Sequence, residues 1–121
     1  MDIRKEILKK RTLAFSVRIM ALCDALPKTG TGARIANQVF RSGTSVGAQY
    51  AESCRAKSAP DFISKVEGAM QELEETSYWL DLAVESGKVK ATRLISLRKE
   101  ISELMSIFVT MVKNTKNRGR A

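Results

Sequence analysis

The stretch RSGTSVGAQY, Arg41–Tyr50, decides how the chain is read. Gly43, Gly47 and Ala51 fall four apart and share one face if the segment is helical. Ser42, Ser45 and Ala48 keep the neighbouring positions slim. Glycine in a helix interior costs roughly 1 kcal/mol against alanine, so two glycines one turn apart need a compensating contact. The expected compensation is a second helix packed unusually close to this bare side. A loop between two shorter helices is the alternative. Val39, Phe40, Val46, Tyr50 and Cys54 keep helical spacing through the run and favour a continuous helix.

Working outward, this helix is expected over residues 32–56, with Thr31 as its cap. The preceding KTGTG, Lys28–Gly32, reads as a flexible link. It is not a phosphate loop, because Ala33 and Arg34 stand where that loop needs Lys followed by Ser or Thr. Upstream, Asp2 can cap a first helix over 3–25. Its expected apolar stripe is Ile7, Phe15, Ile19, Leu22 and Leu26, widened by Leu8, Val17 and Met20. Pro27 ends it, since the residue before a proline is pushed out of the helical region.

Downstream, Ser58 and Asp61 form a capping-box-like pair, and Pro60 sits harmlessly in a first turn. They open a third helix over 59–86. Phe62, Val66, Ala69, Leu73, Thr76, Leu80 and Ala83 step along it by four and three. Trp79 and Leu82 fall off that line, which predicts a second contact surface, on another helix or on a neighbouring subunit. Gly87 is a natural C-cap. Thr92 is the expected cap of a fourth helix over 92–115, striped by Leu94, Leu97, Ile101, Leu104, Phe108 and Met111. The basic tail 116–121 is expected to be loose. Four amphipathic segments joined by short links predict an all-α single domain over 1–121, an antiparallel up-down-up-down four-helix bundle.

Charge is the informative bulk property. The 121 residues hold 21 Lys and Arg against 13 Asp and Glu, a net charge of +8. The charge is unevenly spread. Residues 59–87 carry 1 basic and 7 acidic groups, whereas residues 88–121 carry 9 and 2. So basic a chain points to an acidic partner, commonly nucleic acid. The candidate phosphate contacts are Arg4, Arg11 and Arg18, which repeat every seven residues, with Arg34, Arg41, Arg55, Lys57, Lys113, Lys116, Arg118 and Arg120. The alternative is a basic surface kept for solubility. Within the chain, the acidic third helix can neutralise its neighbours. Between chains, it can meet a basic face of the next copy, and head-to-tail contacts of that kind close into rings. Gly43, Gly47, Ala51, Trp79 and Leu82 are the candidate helix-packing or subunit contacts.

Catalysis is not expected. The sequence contains no His, which removes the usual general base and the usual zinc ligand. Glu74 and Glu75 are adjacent on a helix and point about 100° apart. Ser42, Thr44 and Ser45 have no His to activate them. No cofactor or metal is expected. Cys23 and Cys54 read as free thiols of a cytoplasmic protein. No apolar run reaches the ~20 residues of a membrane span, and the charged MDIRKEILKKR start does not suit a signal peptide.

Four motifs together carry a resemblance. LPK at Leu26–Lys28, RSGTSVGAQYAES at Arg41–Ser53, DFISKV at Asp61–Val66 and ELEETSYWLDL at Glu72–Leu82 occur in this order. The chain resembles the four-helix-bundle proteins encoded in intervening sequences of bacterial 23S ribosomal RNA genes, from about Thr12 to Thr115. The resemblance implies a non-enzymatic bundle whose members form homopentameric rings. A related accessory protein of diversity-generating retroelements has a similar fold and binds nucleic acid and a reverse transcriptase. The expected function is therefore RNA or DNA binding through phosphates as a homopentamer. The alternative is an interaction scaffold or an accessory partner of a reverse transcriptase or other nucleic-acid enzyme.

Overall fold

A computed structural model describes residues 2–119. It is all-α: α1 is Ile3–Ala25, α2 Gly30–Ser53, α3 Ala59–Glu85 and α4 Ile95–Arg118, with a 3-10 turn at Ala91–Leu94 before α4. Four helices and no strands among the described residues fit a four-helix bundle.

The helix ends follow from local chemistry. The Asp2 carboxylate accepts from the Arg4 N–H at 2.9 Å and opens α1. Ser58 Oγ accepts from the Asp61 N–H at 3.2 Å and opens α3. The Asp61 carboxylate turns to the Lys57 N–H instead of closing the reciprocal half of a capping box. At the end of α3, Gly87 adopts φ +75°. Its N–H donates to Val84 and that of Lys88 to Ala83, the paired arrangement that satisfies a helix's last carbonyls.

Four ends differ from expectation. α2 starts at Gly30 with Thr29, not Thr31, as its cap residue. It closes at Ser53, three residues earlier than expected. Thr92 does not cap α4; it lies inside the 3-10 turn. α4 then continues to Arg118, so Lys116 and Arg118 are its last turn rather than a loose tail. Cations there favourably meet the negative end of the helix dipole. Arg120 lies outside the described residues.

The core runs the length of the bundle. Phe15, Ile19, Val39, Val46, Leu73, Leu80, Leu104 and Phe108 are among its fully buried members, and Tyr50 stacks on Phe108 with ring centroids 5.9 Å apart. The α1 stripe needs correction. Leu8, Thr12, Phe15 and Ile19 face inward, whereas Ile7 and Val17 are 58% and 59% exposed. Leu13 and Met20 are also exposed. Apolar residues lie all round α1, so spacing alone did not select its inner face.

The small-residue run is helical throughout and lies between two neighbours. Towards α1, a Cβ on Gly43 would sit 2.7 Å from Ile19 side-chain carbons, and one on Gly47 3.4 Å from the Thr12 carbonyl. Towards α3, the buried Thr76 and Ser42 hydroxyls are 2.8 Å apart. Ala51, one turn on, is half-buried. Trp79 packs against its own core, and its Nε1–H is buried without an acceptor among the described residues. Leu82 and Tyr78 remain exposed on the outer side of α3.

Candidate nucleic-acid interface

The cations divide into those answered by a partner within the fold and those left unanswered. Arg11 is the most firmly held. Its Nε and Nη2 meet both oxygens of Glu100 at 2.9 and 2.7 Å, and Nη2 also reaches Glu103 at 2.7 Å. The fork matches the carboxylate plane. The bonded Glu100 carboxylate raises the guanidinium pKa further, and Arg11 in turn holds the Glu100 carboxyl below its ordinary value. Arg18 donates to Ser96 Oγ at 2.8 Å. The seven-residue line on α1 is therefore partly a seam to α4 and not an open basic ridge.

The acidic α3 answers others. Glu75 pairs with Arg41, Asp81 with Arg98 at 2.7 Å, and Glu67 with Lys116 at 3.8 Å. Around Arg41 the two longest sequence motifs meet. Arg41, Ser42 and Ser45 of α2 face Glu72, Glu75 and Thr76 of α3. Burial first, then the Glu75 carboxylate, pushes the Glu72 carboxyl above its ordinary value.

Arg4, Arg34, Arg55, Lys57 and Lys113 make no ion pair among the described residues. All but Arg34 sit at one end of the molecule. There the start of α1, the α2–α3 connection, the start of α3 and the end of α4 surround a groove of about 950 Å³. Arg4, Lys5 and Arg118 line it, and Cys54, Ala56 and Ser58 bring Arg55 and Lys57 alongside. Lys5 Nζ donates to the Cys54 carbonyl at 3.1 Å, and Arg118 Nε to the Asn114 carbonyl at 3.5 Å. The nearby carboxylates of Asp2 and Asp61 are engaged by backbone N–H groups. Lys5 was missed in the sequence because it lies off the seven-residue line; its place at the rim depends on the fold of α1 against α4.

Cys23 and Cys54 are free, half-buried thiols. Burial raises the Cys23 pKa, which leaves it a poor nucleophile. No helix among the described residues is long and apolar enough to cross a membrane.

Comparisons with known proteins place this fold. The chain is similar to a protein of unknown function from the S23 ribosomal protein family of Bacteroides thetaiotaomicron, known from a crystal structure. The TM-score is 0.85 and the identity 31%, over 92% of this chain and 99% of that one. No curated protein matches. The family model for the 23S rRNA-intervening sequence protein matches residues 4–110. The chain belongs to the 23S rRNA-intervening sequence protein family.

Proposed function

We propose that this protein is a non-enzymatic nucleic-acid-binding bundle that holds RNA or DNA by its phosphates. The observation that carries the reading is the gathering of Arg4, Lys5, Arg55, Lys57, Lys113 and Arg118 at the grooved end, with no carboxylate paired to any of them among the described residues. Phosphate binding needs such unanswered cations, and it displaces counterions, so it weakens steeply with salt. The test is fluorescence anisotropy on a structured RNA and a DNA duplex across a salt series. Tight binding that falls with salt is expected; no binding at low salt overturns the reading.

The bundle is proposed to run up-down-up-down, each helix antiparallel to the next. Pairings in opposite sequence order support this. Ser42 meets Thr76 while Glu52 meets Lys65, and Asp81 meets Arg98 while Glu67 meets Lys116. Assembly into a closed homopentamer is proposed with it. The outer face of α1 supports an assembly, because exposed Leu13, Val17 and Met20 form an apolar row at i, i+4 and i+7. Of the acidic line on α3, Glu67 and Asp81 already pair with Lys116 and Arg98 of α4, which leaves Glu74 for a basic element of a neighbour. The ring number rests on the family resemblance. The same α1 face supports the second reading, an interaction scaffold or accessory partner of a reverse transcriptase or other nucleic-acid enzyme. Co-purification of one protein without nucleic acid would favour it.

A further inference from the structure

The groove at the basic end has features that phosphate binding alone leaves unused. A duplex gripped by its phosphates needs exposed cations; it needs neither a cavity nor an apolar floor. Here Arg4, Lys5 and Arg118 stand over a floor that includes Leu8, Phe62 and Met111. The opening exists because α1 and α4 approach less closely than the other neighbouring helices, and the long side chains of Arg11 and Arg18 bridge the gap. Its volume of about 950 Å³ falls in the range of roughly 300–1,000 Å³ typical of small-ligand sites. It has room for an unstacked nucleotide and none for a duplex.

The polar groups within the groove are not equivalent. Ser53 and Thr115 commit their hydroxyls to the carbonyls of Tyr50 and Met111. The Asn114 side chain is exposed and makes no hydrogen bond among the described residues. It offers a donor and an acceptor side by side, the pair that a base edge can meet.

We propose that the groove takes one unpaired nucleotide of the bound nucleic acid. The base rests on Leu8, Phe62 and Met111, Asn114 meets its edge, and Arg4, Lys5 and Arg118 hold the flanking phosphates. This rests on the nucleic-acid reading above and adds a preference for an unpaired end or bulge over a continuous duplex. An amphiphilic anion such as a fatty acid would use the same floor, but it needs one cation rather than three and has no use for Asn114.

The test compares two RNA hairpins by anisotropy at one salt concentration, one blunt and one with a short unpaired overhang on the same stem. The overhang should bind about tenfold more tightly, the scale of one good base contact. Asn114→Ala should lower that preference below about threefold, and Asn114→Trp, which fills the groove, should abolish it. Asn114 is exposed, so both variants should fold, checked by an unchanged melting curve. Equal affinity for the two hairpins overturns the proposal and leaves phosphate binding standing. No binding of either overturns the nucleic-acid reading itself. A preference unmoved by both substitutions puts the unpaired nucleotide elsewhere and overturns the proposal. So does laurate that binds wild type but not Asn114→Trp while the two hairpins bind alike.

Discussion

Gly43 of α2 lies directly against Ile19 of α1: a Cβ added to the glycine would stand 2.7–2.8 Å from three carbons of the isoleucine side chain. Ile19 is fully buried and cannot retreat without disturbing the core. Gly43→Ala is therefore expected to destabilise by about 1–3 kcal/mol, the usual cost of overpacking. At Gly47 the added carbon would meet its nearest atoms at 3.4–3.5 Å, an ordinary contact. Gly47→Ala should then be neutral or stabilising by up to about 1 kcal/mol, from the gain in helix propensity. Urea unfolding of the two variants tests the contrast. Equal destabilisation by both would show that the close approach is not centred on Gly43.

Two carboxylates should tilt the pH dependence of stability in opposite directions. Glu100 has its pKa lowered by Arg11. Its contribution is present above the unfolded carboxylate value and is lost as pH falls through the lowered folded one. Glu100→Gln is expected to cost about 1 kcal/mol near neutral pH, discounted because the pair is partly solvated, and nothing in acid. Glu72 has its pKa raised, by burial and then by Glu75. The folded state binds the extra proton, so stability falls as pH rises through the window from the ordinary value to the raised one. Glu72→Gln should therefore raise the melting temperature at neutral pH, with the gain vanishing in acid. Melting curves across pH check both signs.

The period of four and three found the helices, and it placed the α3 core from Val66 to Ala83 in its correct register. On α1 it placed Phe15, Ile19 and Leu26 correctly but missed in the first turns, where Ile7 and Leu8 are both apolar neighbours and only the approach of α2 and α4 selects Leu8. Thr29 and Thr31 each precede a glycine, so local chemistry does not choose between them as caps. Pro27 packs against Gly32, where a Cβ would lie 2.7 Å away, and so fixes the start of α2. The partner of Arg11 lies 89 residues further along, and no local pattern could reveal it. The basic ridge was legible as spacing; its neutralisation was not. The groove was illegible for the same reason, since it is assembled from segments at both ends of the chain.

The exposed row on α1 gives an assembly prediction. Leu13 and Val17 are 67% and 59% exposed, so replacing them leaves the subunit core untouched. Leu13→Gln with Val17→Gln should leave subunit helicity unchanged and dissociate the proposed ring. A loss of about 1–2 kcal/mol per buried interface anchor moves the dissociation midpoint at least tenfold in concentration. Sedimentation velocity over a dilution series reads this directly. A double variant that assembles like wild type would remove α1 from the interface, and a monomeric wild type would remove the ring.

The division of cations into answered and unanswered predicts which arginines carry salt dependence. Arg11 is held by Glu100 and Glu103, and transferring it to a phosphate would strand both carboxylates. Arg11→Gln should therefore change nucleic-acid affinity less than about twofold and leave the salt slope alone, while lowering subunit stability. Arg55 and Lys113 make no ion pair among the described residues. Each can release a counterion on meeting a phosphate. Arg55→Gln and Lys113→Gln should each weaken binding and flatten the slope of log affinity against log salt by about 0.9 on a duplex, or about 0.7 on a single strand. Because both side chains are exposed, neither substitution should alter the melting temperature. The reverse pattern, with Arg11 dominating the slope, would mean that binding opens the α1–α4 seam and draws its phosphate contacts from there.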